Sequence, residues 1–232
     1  MKRFRVGMLI PWVNTTMEDE IPILLHPDIG IHWSRMRPKT LPRDGHDTSY
    51  MEMMIKDMPY ALSKFDGLDL QTLVLGCTSA SIMETSKLIK IPKKYRDLRF
   101  ISAFDSVIGQ LTKLSAKNIM LIAPYDVKTI EAETFALKKA GFLVNKSVIL
   151  DYDHEIRFIP PSKIMEIFLS EIVEGVDAVF FSCTALNTVT AFSELRNSHN
   201  VTIPLLSSNI AIAREINDQY KNSILKLWRI HG

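Results

Sequence analysis

Two cysteines carry the clearest chemistry in this sequence, because each stands once in the same local context. Cys77 lies in Gly76-Cys77-Thr78-Ser79 and Cys183 in Ser182-Cys183-Thr184. In both places an apolar run ends in a small residue, then Cys-Thr, then a helix-like segment. A thiol at a helix N-terminus faces unpaired N–H groups, which lower its pKa from about 8.5 toward 7 and make it a nucleophile or base at neutral pH. One buried cysteine is commonly just a small hydrophobe. Two in repeated contexts predict a cleft with a thiol on each wall, and at least one depressed thiol pKa.

Polar companions fall at the same ends of strands. Asn14 and Thr15 follow the apolar run that ends at Pro11, and can offer an amide and a hydroxyl to a carboxylate or cap the next helix. Thr78, Ser79 and Thr184 add hydroxyl and backbone donors, a set that suits a small anion better than a nucleotide. Tyr125 follows Pro124 as Trp12 follows Pro11, and is placed to bring a phenol over the cleft. Arg35 and Arg37 are read as solvated charges, with an acid substrate as the alternative.

Positioning these residues requires strands that end beside one another. Apolar, β-branched runs at 5–10, 31–37, 72–75, 100–103, 118–123, 145–150, 178–182 and 203–207 predict eight strands. Helical patterns at 16–25, 50–65, 81–90, 106–114, 128–140, 162–174, 185–198 and 210–222 alternate with them, the order of an α/β protein with parallel sheets. An internal repeat divides the strands between two sheets. RVGMLIP (5–11) aligns with NIMLIAP (118–124), and both run on into Thr16-x-Glu18-x-Glu20 and Thr129-x-Glu131-x-Glu133. LQTLVLGCT (70–78) aligns with VDAVFFSCT (176–184), and a weaker match sets Phe104-Asp105-Ser106 beside Ser208-Asn209-Ile210. The prediction is two similar α/β halves, 1–112 and 113–208, with a last helix from 209 to 232 packing back on the first half. In such sheets ligands bind beyond the carboxyl ends of the strands, where both Cys-Thr pairs lie.

Composition prunes other functions. The 232 residues are 47% hydrophobic with a net charge of +2, so no strong field favours nucleic acid or an anionic membrane. No run approaches the roughly 18 apolar residues of a membrane span, and the N-terminus lacks signal-peptide features, so a cytoplasmic protein is expected. Nucleotide-binding glycine loops, zinc-protease and serine-hydrolase motifs are missing, and the six histidines have no metal-ligand spacing. The expected chemistry uses no metal and no cofactor.

Together, Gly7-x-x-x-Pro11-x-x-Asn14-Thr15-Thr16-x-Glu18-x-Glu20, Gly76-Cys77-Thr78-Ser79, Pro124-Tyr125 and Ser182-Cys183-Thr184-x-Leu186-x-Thr188 resemble the aspartate/glutamate racemase superfamily. The likeness runs in order over nearly the whole chain, and is strongest to its maleate cis-trans isomerase and arylmalonate decarboxylase branch. The resemblance implies two Rossmann-like halves with pseudo-two-fold symmetry, a cofactor-free site in the cleft between them, and a homodimer. It places Cys77 and Cys183 as the paired catalytic cysteines, and Asn14 and Tyr125 as holders of the substrate carboxylates. The decarboxylases keep a glycine at the first cysteine, which sets this chain apart from them. Asp153, or His154 beside it, takes the place of a further substrate-binding asparagine, and an acid there would repel a second carboxylate. The implied function is isomerisation of a small carboxylic or dicarboxylic acid, most like maleate to fumarate. Two alternatives are a two-base racemase of aspartate or glutamate type, and a non-catalytic small-acid-binding protein.

Overall fold

A computed structural model describes residues 4–37, 48–82, 91–152 and 155–231, without the side chains of 48–51, 53 and 226–231. Eight strands form two parallel four-stranded sheets. The first comprises β1 (Phe4–Pro11), β2 (Ile29–Met36), β3 (Thr72–Leu75) and β4 (Arg99–Ser102); the second comprises β5 (Asn118–Ala123), β6 (Leu143–Ile149), β7 (Ala178–Phe181) and β8 (Leu205–Ser207). Their orders, β2-β1-β3-β4 and β6-β5-β7-β8, are the same pattern twice. The repeat extends to single hydrogen bonds. Gly76 N–H donates to Leu9 O at 2.8 Å, and its counterpart Ser182 N–H donates to Ile122 O at 2.8 Å.

All eight expected strands are present, two of them with the expected ends and the rest with ends shifted by no more than two residues. The inner strands form because both their faces are covered: every residue of β3 and β7 is buried, as continuous apolar runs require in a parallel sheet. The helices are α1 (Thr16–Leu24), α2 (Thr48–Ser63), α3 (Thr78–Ile82), α4 (Ala103–Lys113), α5 (Val127–Lys139), α6 (Pro161–Glu171), α7 (Thr188–His199) and α8 (Ser208–His231). Helix α5 ends as its sequence directs, with Lys138 and Lys139 in the last turn and Gly141 at φ +94° just beyond. Of the pattern at 81–90, residues 81 and 82 fall in α3, and 83–90 lie outside the described residues.

Two helices exchange halves. Phe104, Val107 and Leu111 of α4, which follows the first sheet, pack with Ile119, Leu121 and Phe180 of the second. Ile212, Ala213 and Ile216 of α8, which follows the second sheet, pack with Val6, Met8 and Val74 of the first. Burying each such side chain contributes about 1.5–3 kcal/mol. The exchange brings the carboxyl ends of the two sheets face to face.

Candidate active site

Cys77 and Cys183 emerge from the ends of β3 and β7 into this junction, 5% and 9% exposed. The Cys77 thiol lies 3.6 Å from Ser79 Oγ and accepts from the Ala80 N–H. Cys183 Sγ accepts from Ala185 N–H at 3.4 Å and from the Tyr125 hydroxyl. The two sulfurs and Tyr125 sense one another's charge, so the second thiol, the phenol and the first thiol share one dry space.

The expectation of a depressed thiol pKa is overturned. Burial pushes the Cys77 thiol up, against the weaker opposing pull of Ala80 N–H and Ser79 Oγ. Burial likewise pushes Cys183 up to about 12, although Ala185 N–H and Tyr125 pull it down. Desolvation of a charge in a closed site outweighs a few donors. Burial also holds the Tyr125 phenol well above its ordinary value, so it is a hydrogen-bond donor at neutral pH.

The two cysteines are not equivalent. Cys183 has φ +118°, a conformation that L-residues rarely adopt and that costs about 1–3 kcal/mol. It is held by Ser208 Oγ, which accepts from its N–H at 3.4 Å and from Thr78 Oγ1 of the other half at 2.8 Å. Cys77 is preceded by Gly76, where an added Cβ would lie 2.7 Å from Met17 Sδ. A side chain there would displace the end of Met17, and with glycine in place the first half has no counterpart of the Ser182 hydroxyl.

The other expected site residues divide between the junction and its surroundings. Asn14 is 1% exposed; its Nδ2 donates to Thr184 Oγ1 at 3.0 Å, and its Oδ1 caps α1 by accepting from Met17 N–H at 3.1 Å. Thr184 Oγ1 donates in turn to Gly76 O at 3.0 Å. Thr78 and Thr184, expected to face an anion, are thus cross-braces between the halves. Ser79 stays beside Cys77. Thr15 is exposed and stands outside this network. Asp153 and His154 lie outside the described residues.

Several buried polar residues join the site with no chemical motif to announce them. Glu20 Oε2 accepts from Asn209 Nδ2 at 2.6 Å and its Oε1 from Val189 N–H at 2.6 Å, tying α1 to the starts of α7 and α8. Asn209 Nδ2 also donates to Thr184 O at 3.1 Å. The loop bearing Asn14 is clamped by arginines: Arg35 donates to Trp12 O at 2.8 Å and Asn14 O at 3.2 Å, and Arg157 reaches from the second half to Val13 O at 3.2 Å. Arg35 also pairs with Glu18, so it braces this loop and is not a solvated charge. In the sequence this layer showed only as the repeated Glu18 and Glu20, the weak match at Ser208-Asn209-Ile210, and Arg35. No cluster of His, Cys, Asp and Glu suited to a metal occurs among the described residues.

Two repeated parallel four-stranded sheets meeting at paired cysteines make an α/β fold that matches solved maleate isomerase and arylmalonate decarboxylase structures. The chain is 27% identical over 222 residues to the maleate isomerase of Geobacillus stearothermophilus, spanning 89% of this chain and 88% of that one. It is similar in structure to the Nocardia farcinica maleate cis-trans isomerase, a variant of which holds a covalently bound succinylcysteine intermediate: TM-score 0.80, 21% identity, 94% and 93% of the two chains. An arylmalonate decarboxylase matches at TM-score 0.69 with 16% identity over 91% and 90%. No family model matches the chain.

Proposed function

We propose that this chain is a cofactor-independent cis-trans isomerase that converts maleate to fumarate, with Cys77 as nucleophile and Cys183 as the partner acid and base. The observation that carries this reading is the inequality of the two thiols within one closed site. Cys183 is paired with a phenol and held in a strained backbone, whereas Cys77 faces a helix start and a serine. Unequal partners suit addition by one thiol and proton transfer by the other, whereas a two-base racemase uses its thiols interchangeably. Curated maleate isomerases matching nearly the whole chain support the same substrate.

In this mechanism the Cys77 thiolate, supported by Ala80 N–H and Ser79 Oγ, adds to one olefinic carbon of maleate. Electrons move onto the second carbon and its carboxylate, and that carbon takes the proton of Cys183. The product is an S-succinyl group with a single bond free to rotate. After rotation the Cys183 thiolate, stabilised by the Tyr125 hydroxyl, takes a proton back from the second carbon. The C–S bond breaks, fumarate leaves, and the Cys77 thiolate is restored. Asn14 keeps a second amide hydrogen beside Thr184 for a substrate carboxylate, and the Tyr125 hydroxyl is the second carboxylate holder in this reading. The reading includes a cytoplasmic location and a homodimer.

Proton NMR of the reduced protein in D₂O, with maleate and both enantiomers of aspartate and glutamate, tests it. Fumarate formation from maleate is the expected result. Exchange of an amino-acid α-proton with maleate untouched moves the chain to the racemases. Thermal stabilisation by dicarboxylates without any conversion marks a binding protein.

A further inference from the structure

Glu133 of α5 is 0% exposed and lies directly beneath the Cys183 wall of the site. Its Oε1 accepts from Ser182 Oγ at 2.6 Å, and its Oε2 has no hydrogen-bond partner. The sequence repeat pairs Glu133 with Glu20, and the two carboxyls are treated differently by the fold. Glu20 receives Asn209 Nδ2, Val189 N–H and Thr188 Oγ1. Glu133 receives one hydroxyl, from the residue that immediately precedes Cys183.

A buried carboxylate needs several donors to stay ionised, and an unpaired anionic oxygen costs far more than a neutral one. Among the described residues, the groups shown to share Glu133's surroundings carry no positive charge: they are Ser182 and Cys183 after β7 and Tyr125 after β5. Helix α3 also packs against α5, through a segment whose buried residues are Thr78, Ser79 and Ala80. From β6, which also packs on α5, Lys146 turns away to Glu171 of α6 at 2.7 Å. We propose that Glu133 is a positioning residue for Cys183: a neutral carboxyl that anchors Ser182 beneath the strained cysteine and keeps negative charge away from its sulfur.

Burial raises the Glu133 carboxyl to about 8, partly offset by Ser182, so the neutral form prevails at neutral pH. Ionisation above that point places an anion near both Cys183 and Tyr125, raising each further. The role in catalysis rests on the isomerase reading, but the test reads the thiol itself.

The chain has two cysteines, so Cys77→Ser leaves Cys183 as its single thiol. Its alkylation by iodoacetamide is followed against pH. The expected log-rate profile bends near pH 8 as Glu133 ionises, and the bend disappears in Cys77→Ser/Glu133→Gln. One pH unit above the bend, the Gln variant reacts on the order of tenfold faster. Ser182→Ala in the same background removes the hydrogen bond that favours the anion, and moves the bend to higher pH. Superimposable profiles with and without Glu133, or a bend unmoved by Ser182→Ala, would overturn the proposal whatever the substrate proves to be.

Discussion

Asn14 of the first half and Thr184 of the second are joined by a 3.0 Å hydrogen bond, and Thr184 passes it on to the carbonyl of Gly76. The residue proposed to hold a substrate carboxylate is thereby fixed by the strand ends that carry both cysteines. Asn14→Ala removes this bond and the cap on Met17 N–H. Losing the two should cost about 1–3 kcal/mol in urea unfolding. The same variant should raise KM for maleate more than it lowers kcat.

Glu20 offers a second strut between the halves. Glu20→Ala leaves the Val189 N–H at the start of α7 without its acceptor, and the Asn209 amide at the start of α8 with Thr184 O alone. A stability loss of roughly 2–4 kcal/mol is expected by chemical denaturation. A loss near zero would mean that water replaces the carboxylate at no cost.

Tyr125 acts on Cys183 through its hydroxyl. Tyr125→Phe removes the donor to the sulfur while keeping the ring that packs against the second-sheet core. The thiolate that must take back the proton becomes harder to form, so kcat should fall roughly ten- to a hundredfold. Steady-state kinetics with maleate check this.

Stability should depend on pH through Glu133. Its folded-state pKa is raised from 4.5 to about 8, so the folded form prefers the protonated carboxyl. The contribution is complete below the ordinary glutamate range and is lost as pH rises toward 8, a change of about 5 kcal/mol across the window. Glu133→Gln carries no charge and escapes this loss. Its Tm should match the parent near pH 4.5 and exceed it at pH 8, as read by calorimetry at both values.

The eight strands and the two Cys-Thr junctions were legible because each is a local pattern: an apolar run, a small residue, a thiol, a helix start. The crossing of α4 and α8 was only half visible, since nothing in residues 103–113 says which sheet their apolar face will cover. Direction of the thiol shifts was misread for a physical reason. A helix start is visible in sequence, but the depth of burial that outweighs it is a property of both halves together. Thr78 and Thr184 carry the hydroxyls that the pattern promised, yet these bond across the junction to Ser208 and Gly76. Glu20 and Glu133 look like solvent-facing acids of two helices until the folded chain closes over them.

In the proposed mechanism Cys77 bonds covalently to the substrate while Cys183 only moves protons. Intact-mass and peptide mass spectrometry of Cys183→Ser, incubated with maleate, tests it most directly. A succinyl adduct on Cys77 with fumarate release strongly slowed is expected, and none on Cys77→Ser. Undiminished turnover by either variant, or a Cys183→Ser protein that folds but gains no mass on Cys77, would contradict it.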